Sequence, residues 1–233
     1  MKFGKSFLVR AGVFALTMAA IPAASSAMQR SAATPADSVQ PIASLLIMPT
    51  IPSFEDVARI QRAVEAQRQL ATDAARLNAG EFVWRPELAP AGNVEVVVSI
   101  PQQRAYIYRA NTLIGVTTVS TGMAGHRTPT GRYPIMEKRR THFSNLYNNA
   151  PMPFMQRLTM GGIALHAGQI PGYPASHGCV RLPYEMARNI FGVTQVRSVV
   201  HIVNHSPTPL TALALARGER PAAPMEAPVR GTR

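Results

Sequence analysis

One short stretch of the chain holds the residues that could carry out chemistry. It contains Cys179, the only cysteine among 233 residues, and two of the six histidines, His166 and His177. A thiol attacks as its thiolate, and a nearby imidazole can take up the thiol proton, so Cys with His is a minimal acyl-transfer nucleophile. Gly178 permits a turn closed to other residues and would free nearby backbone amides to face a substrate oxyanion. We therefore expect an active site here.

Two histidines compete for the role of the base. His177 and Cys179 are two residues apart, so they would share one face of an extended strand. His166 reaches the thiol only if the loop between them folds back, and the Pro171-Gly172 turn dipeptide suits that return. Spacing alone leaves both candidates open.

Two other interpretations apply to the same residues. A lone cysteine is often a small buried hydrophobic residue, and one cysteine with two histidines could bind zinc. Zinc sites usually contain tight pairs such as Cys-x-x-Cys or His-x-x-x-His, and neither pair occurs in this stretch. The pattern therefore favours a nucleophile without a metal or cofactor.

The motif Ser176-His-Gly-Cys-Val-Arg181, preceded by His166, resembles the signature of the YkuD-type L,D-transpeptidases. With weaker strand patterning, the resemblance covers residues 93–203. It implies that Cys179 is the nucleophile, His166 its proton acceptor and donor, and His177 a supporting histidine. It also implies that the carbonyl of Ala167 orients His166, and that Arg181 faces an acidic substrate. Ser176 and Gly178 are expected in the substrate or oxyanion pocket.

The same resemblance implies an enzyme of peptidoglycan biosynthesis, cell-wall organisation and cell shape, with stem peptides as substrates. Cys179 would form a thioester, and the acceptor would be a second stem peptide or an outer-membrane lipoprotein. If water is the acceptor, the protein is an L,D-carboxypeptidase or a cross-link hydrolase. A non-enzymatic wall-binding module is the third alternative. The sequence does not separate the first two, and it favours both over the third.

Strand patterns predict a mostly β catalytic domain over residues 93–205, and the resemblance implies a sandwich or barrel-like form. Short runs rich in β-branched and aromatic residues alternate with turn residues. One short helix is expected after the active site, beginning at Pro183 and closed by Gly192. The predicted strands cover residues 94–100, 105–109, 113–121, 132–136, 158–165 and 197–203.

The ends of the chain have different compositions. Residues 1–27, with a basic start, an apolar run and small residues, predict a secretory signal peptide, and 28–52 a flexible spacer. Residues 53–92 form a helix and connecting segment, in which Ser53 and Asp56 make a capping box and the helix extends to residue 79. Residues 206–233, rich in Pro, Ala and Arg, are expected to be disordered.

Two loops are candidates for the walls of the substrate cleft. Thr128-Pro-Thr-Gly131 is a further feature that resembles the family, and His126 beside it is expected to be an exposed loop residue. Residues 141–156 resemble the family's flap over the site. Aromatic residues and methionines of this flap could line an apolar groove or close a core. They are Phe143, Tyr147, Met152, Phe154 and Met155.

The charge of the chain bears on its partners. The formal net charge is +12, and removal of Lys2, Lys5 and Arg10 with the leader leaves +9. An exported basic protein meets anionic wall polymers and lipid head groups, which predicts a periplasmic or cell-wall location. No aromatic-basic array accompanies the charge, so the sequence argues against a nucleic-acid partner.

Overall fold

Two β-sheets form the centre of the protein, whose computed structural model describes residues 53–221. The larger sheet has six strands in the order β1-β4-β3-β2-β10-β5, and only β2 and β10 run parallel. The strands are β1 (Phe82–Trp84), β2 (Val94–Ser99), β3 (Arg104–Arg109), β4 (Thr112–Thr118), β5 (Gly131–Pro134) and β10 (Val199–Val203).

The smaller sheet has four strands in chain order, and its last pair is parallel. These strands are β6 (Glu137–Arg139), β7 (Met155–Arg157), β8 (Ala164–Ala167) and β9 (Val180–Leu182). Three helices complete the fold: α1 (Phe54–Ala75), α2 (Tyr184–Val193) and α3 (Ala212–Ala216). The predicted mostly β fold, with an N-terminal helix and a short helix after the motif, is confirmed.

Both faces of the larger sheet are buried. Val96 and Val98 of β2 point into the main core with strands of the smaller sheet and α2, whereas Val97 packs with residues of α1 and α3. Side chains alternate between the faces of a strand, so a strand covered on both sides must be apolar at successive positions. This explains the dense run of valines in β2.

Helix α1 begins as its sequence predicts. Ser53 accepts a hydrogen bond from the amide of Asp56 at 3.1 Å, and the Asp56 carboxylate accepts one from the amide of Ser53 at 3.2 Å. The helix ends at Ala75, before the predicted residue 79.

The second half of α1 docks on the larger sheet. Leu70 and Ala74 are buried, and the side-chain amide of Gln67 donates to the carbonyl of Leu113 and accepts from its amide. Strand β1 then pairs with β4 and forms one edge of the larger sheet. Residues 53–92 therefore belong to the same sheet system as the predicted catalytic domain.

The predicted disorder from residue 206 onward is wrong for residues 206–221. Helix α3 lies in this segment, with Ala212 and Leu213 buried against the larger sheet. The hydroxyl of Tyr108 donates to the carbonyl of Pro209 at 2.6 Å, and Arg217 pairs with Glu95. The composition predicts disorder, but a short apolar run packs against the face of the larger sheet that is turned away from the main core. Residues 222–233 lie outside the described residues, as do the predicted signal peptide and spacer.

The predicted strand at residues 158–165 is also wrong over most of its length. The chain turns there, with the amide of Gly162 donating to the carbonyl of Thr159 at 3.1 Å and a φ of 93° at Gly162. Such a φ favours glycine because side chains rarely adopt it. Strand β8 therefore starts only at Ala164.

Helix α2 also differs in detail from its prediction. Pro183 is the residue before its first turn, and Gly192 lies inside the helix, which ends at Val193. None of the helices within residues 53–221 combines the length and apolar character needed to span a bilayer.

Because only the second half of α1 docks on the sheet, substitutions in its two halves should have different effects on the free energy of unfolding. Leu70→Ala should lower the free energy of unfolding by about 2–4 kcal/mol, because it leaves a cavity at a position only 2% exposed. Ile60→Ala, at a position 59% exposed, should change it by less than about 0.5 kcal/mol. Urea unfolding of both variants measures the difference, and equal small effects would contradict the packing of α1 on β4.

Candidate active site

The parallel strands β8 and β9 bring the predicted site residues together. His166 lies in register beside Arg181, and Leu165 beside Val180. Leu165 and Val180 point into the main core. Because alternate residues face opposite sides of a strand, His166, Cys179 and Arg181 lie on the other side of the sheet.

That side opens into a cavity of about 380 Å³. Six of the predicted site residues line it: Cys179, His166, His177, Arg181, Ala167 and Ser176. The flap adds Ser144, Leu146, Tyr147 and Met152, and the turn before β8 adds Gly161, Gly162 and Ile163. Gly178 is buried beside this cavity and is not part of its lining.

His166 is buried and held in one orientation. Its Nδ1 lies 2.8 Å from the carbonyl oxygen of Ala167, which is the contact that the resemblance implied. A carbonyl can only accept, so Nδ1 carries the proton and Nε2 is free to act as a base. Burial lowers the pKa of His166 to about 4; the Ala167 carbonyl opposes this shift, and the charges of Arg181 and His142 add to it. The imidazole is therefore neutral at pH 7.

The Cys179 thiol is partly exposed and packs with Met152, Met155 and Ala164. Burial raises its pKa above the ordinary value, while the Ala164 amide and the Arg181 charge oppose the rise. The Sγ atom donates a hydrogen bond to the carbonyl of Gly162 at 3.6 Å. The two pKa shifts favour a neutral thiol and a neutral imidazole over a preformed thiolate-imidazolium pair.

Ser176 shapes the turn that carries the thiol. Its buried hydroxyl donates to the carbonyl of Cys179 at 2.5 Å and accepts from the amide of Gly178 at 3.1 Å. Gly178 has a φ of 113°, and a Cβ there would lie 2.7 Å from Cδ1 of Ile163. The Gly178 amide is thus occupied, whereas the amides of His177 and Cys179 have no acceptor among residues 53–221.

His177 occupies a different environment from His166. It is exposed, and its ring lies tilted against that of Tyr147 and edge-on to that of His126, with centroid distances of 4.5 and 4.8 Å. These ring contacts join the flap, the motif and the loop at residue 126. Sequence reasoning missed the contact between His126 and His177, because the two residues are distant in the chain and neither lies in a periodic element.

The flap residues divide between two roles. Tyr147 and Met152 line the cavity, whereas Phe154 is buried in the main core and Met155 packs beside Cys179. Phe143 is half exposed and lies outside the cavity lining. Sequence patterns could not separate these roles, because loop residues have no period that assigns them to a face.

Arg181 provides an available positive charge in the cavity. Among residues 53–221 it has no carboxylate partner, and Glu185 pairs with Arg188 instead, at 2.6 Å. Gly168 gives it room, since a Cβ there would lie 3.1 Å from the Cγ and Cδ atoms of Arg181. The described residues contain no group of three or more His, Cys, Asp or Glu side chains placed to bind a metal.

Comparison with known families identifies the domain. The model of the YkuD family, the L,D-transpeptidase catalytic domain, matches residues 93–202. The match covers slightly less than half of the chain, and over these residues the chain is similar to the YkuD catalytic domain. The match ends one residue before the end of β10, so α1, β1 and α3 lie outside it. No curated protein matches the chain.

Solved L,D-transpeptidases resemble part of the chain. The enzyme from Stackebrandtia nassauensis is 27% identical with a TM-score of 0.45, and the match covers 50% of this chain and 58% of that one. One from Mycobacterium tuberculosis H37Rv is 21% identical with a TM-score of 0.46, over 48% of this chain and 58% of that one. This chain thus spans less than two thirds of their length.

The neutral forms of the Cys179 thiol and the His166 imidazole predict how the reactivity of the thiol depends on pH. Alkylation of Cys179 by iodoacetamide should keep rising with pH through the ordinary thiol pKa of about 8.5, because burial raises the pKa of Cys179. Arg181→Gln should move the profile to still higher pH, since the Arg181 charge favours the thiolate. A plateau beginning below pH 8 would instead indicate a thiolate-imidazolium pair.

The turn at Gly178 predicts that alanine substitutions at two glycines, Gly178 and Gly192, have opposite effects on stability. Gly178→Ala should destabilise the protein by about 1–3 kcal/mol and slow alkylation of Cys179, because the φ and the contact with Ile163 both oppose a side chain. Gly192→Ala is the matched control, since it lies in α2 with open space and should stabilise by up to about 1 kcal/mol. Thermal unfolding and alkylation rates measure both effects, and equal behaviour would contradict a strained turn.

Proposed function

We propose that this protein is an exported L,D-transpeptidase that forms peptidoglycan cross-links, or attaches a protein to peptidoglycan, through a thioester at Cys179. The main support is that the thiol, the oriented His166 imidazole and the Arg181 guanidinium line one cavity in a YkuD domain. Stem peptides carry carboxylates, and a guanidinium without a carboxylate partner among residues 53–221 suits their recognition.

In the first half-reaction, Cys179 attacks the carbonyl carbon of the L,D bond that precedes the terminal D-Ala. Nε2 of His166 takes the thiol proton as the carbon-sulfur bond forms. The carbon-nitrogen bond then breaks, and D-Ala leaves with the proton returned by His166. The products are a thioester on Cys179, free D-Ala and a neutral His166.

In the second half-reaction, a side-chain amine of another stem attacks the thioester. His166 accepts the amine proton and returns it to the departing sulfur of Cys179. A new amide and a free thiol result. A lipoprotein amine could replace the stem amine without a change in chemistry, whereas water would give a trimmed peptide.

The environments of the two histidines support different roles. We assign the base to His166, because its Nδ1 is fixed by Ala167 and its low pKa keeps Nε2 unprotonated at pH 7. His177 would support the site by holding the flap through its contact with Tyr147. Ser176 and Gly178 would shape the turn that presents the thiol.

Export and a cell-wall location are part of the proposal. They are supported by the leader-like residues 1–27 and by the net charge of +9 that remains without them. Anionic wall polymers would attract such a protein in a salt-dependent manner.

Covalent labelling tests the nucleophile. A carbapenem should add one adduct to the purified protein by intact mass, because its strained amide can acylate Cys179. Cys179→Ala should show no adduct, and His166→Ala should acylate about 10²- to 10⁴-fold more slowly. The chain has one cysteine, so the position of the adduct is unambiguous. An unlabelled wild-type protein would contradict the enzymatic proposal and favour a wall-binding module.

Product analysis tests the acceptor. Incubation with purified tetrapeptide muropeptides should release D-Ala and give dimers by mass spectrometry. Tripeptides without dimers would identify water as the acceptor, making the protein a carboxypeptidase. Transfer to a lysine-bearing peptide from an outer-membrane lipoprotein, without dimers, would identify protein attachment.

A further inference from the structure

Thr128 links the nucleophile turn to a loop fifty residues earlier in the chain. Its hydroxyl donates to the carbonyl of Gly178 at 2.8 Å and accepts from the amide of Gly122 at 2.8 Å. The residue is only 5% exposed, so water competes little for these hydrogen bonds. The hydroxyl is fully used, with one donor and one acceptor contact.

The loop that carries Thr128 is itself fixed. The amide of His126 donates to the carbonyl of Met123 at 3.0 Å, and the amide of Met123 donates to the carbonyl of Ser176 at 2.9 Å. Gly122 passes so close to the His126 carbonyl that a Cβ would lie 1.9 Å from its oxygen. Thr128 therefore holds Gly178 from a rigid position.

The contact fixes the plane of the peptide between Gly178 and Cys179. Residues 53–221 contain no cis peptide bond, and in a trans peptide the carbonyl and the following amide point in opposite directions. Because the Gly178 carbonyl points at Thr128, the Cys179 amide points away from it. Thr128 is absent from the lining of the cavity that Cys179 lines, which agrees with these opposite directions.

The hydroxyl of Ser176 makes the other two hydrogen bonds of this turn. It satisfies the amide of Gly178 and the carbonyl of Cys179, while Thr128 satisfies the carbonyl of Gly178. Of these backbone groups, only the Cys179 amide has no partner among residues 53–221. An amide without an acceptor suits an oxyanion that forms beside it during the reaction.

We propose that Thr128 is a positioning residue that aims the Cys179 amide at the oxyanion formed during acylation. This inference rests on the proposed function, since an oxyanion forms only if Cys179 attacks a carbonyl group. Thr128 acts through the Gly178 peptide and touches no reacting atom. Its loss should therefore slow acyl transfer without changing the intrinsic reactivity of the thiol.

Two reactions of the Cys179 thiol distinguish an effect on acyl transfer from an effect on the intrinsic reactivity of the thiol. Acylation by a carbapenem passes through an oxyanion, whereas alkylation by iodoacetamide displaces iodide and forms none. Thr128→Val keeps the shape and removes the hydroxyl; it should slow acylation by roughly 10- to 100-fold, somewhat less than the loss of an oxyanion donor itself. Alkylation should change by less than about threefold, because the oxyanion amide has no role in it.

Conservative variants serve as controls. Thr128→Ser keeps the hydroxyl and should retain most of the acylation rate. Thr130→Val changes a neighbouring exposed threonine that lies outside the lining of the cavity and makes no side-chain hydrogen bond with the turn, and it should behave like wild type. Thr128→Ala is the second variant if the valine variant does not fold, and thermal unfolding reports the folding of each.

The outcomes distinguish the two proposals. If wild type is acylated and Thr128→Val is acylated equally fast, the role of Thr128 is overturned while the proposed function stands. If acylation and alkylation fall together, Thr128 is only structural, which also overturns it. If wild type is alkylated but not acylated, the proposed function fails and this inference with it.

Discussion

β8 and β9 lie side by side as parallel strands, and this pairing sets the position of each polar group in the cavity. It puts His166 next to Arg181 and leaves Cys179 one residue before the strand begins. Parallel neighbours need a connection that crosses over, and here the chain between them is held by the segment that follows β4. The amides of Ala175 and Ser176 both donate to the carbonyl of Thr121 at 3.0 Å. The site therefore depends on contacts beyond the smaller sheet.

Burial has opposite effects on the two reacting groups, and together they keep the pair neutral. It raises the pKa of Cys179 and lowers the pKa of His166, since both charged forms lose hydration. A neutral thiol is a poor nucleophile but also resists oxidation. The same burial thus favours the uncharged forms of both the thiol and the imidazole.

Much of the fold could be predicted because its signals are local. The capping box of Ser53 and the valine run of β2 depend on neighbouring residues alone. Helix α3 was not predictable in this way, because five residues of alanine and leucine have little stability of their own. They are ordered through contacts with β2 and β10, and through the pairing of Arg217 with Glu95. Composition describes such a segment poorly when tertiary contacts decide its structure.

The motif predicted the reacting groups of the site but not the contacts that orient them. His166, Cys179 and Arg181 come together as expected, whereas the hydroxyl of Thr128 and the ring of His126 act across gaps of about fifty residues. A threonine hydroxyl can hydrogen-bond to the backbone of almost any residue, so its partner cannot be derived from sequence spacing. If Thr128 aims the Cys179 amide as we propose, two chains with the same six-residue motif will differ in rate wherever they differ in the hydroxyl that holds the Gly178 carbonyl.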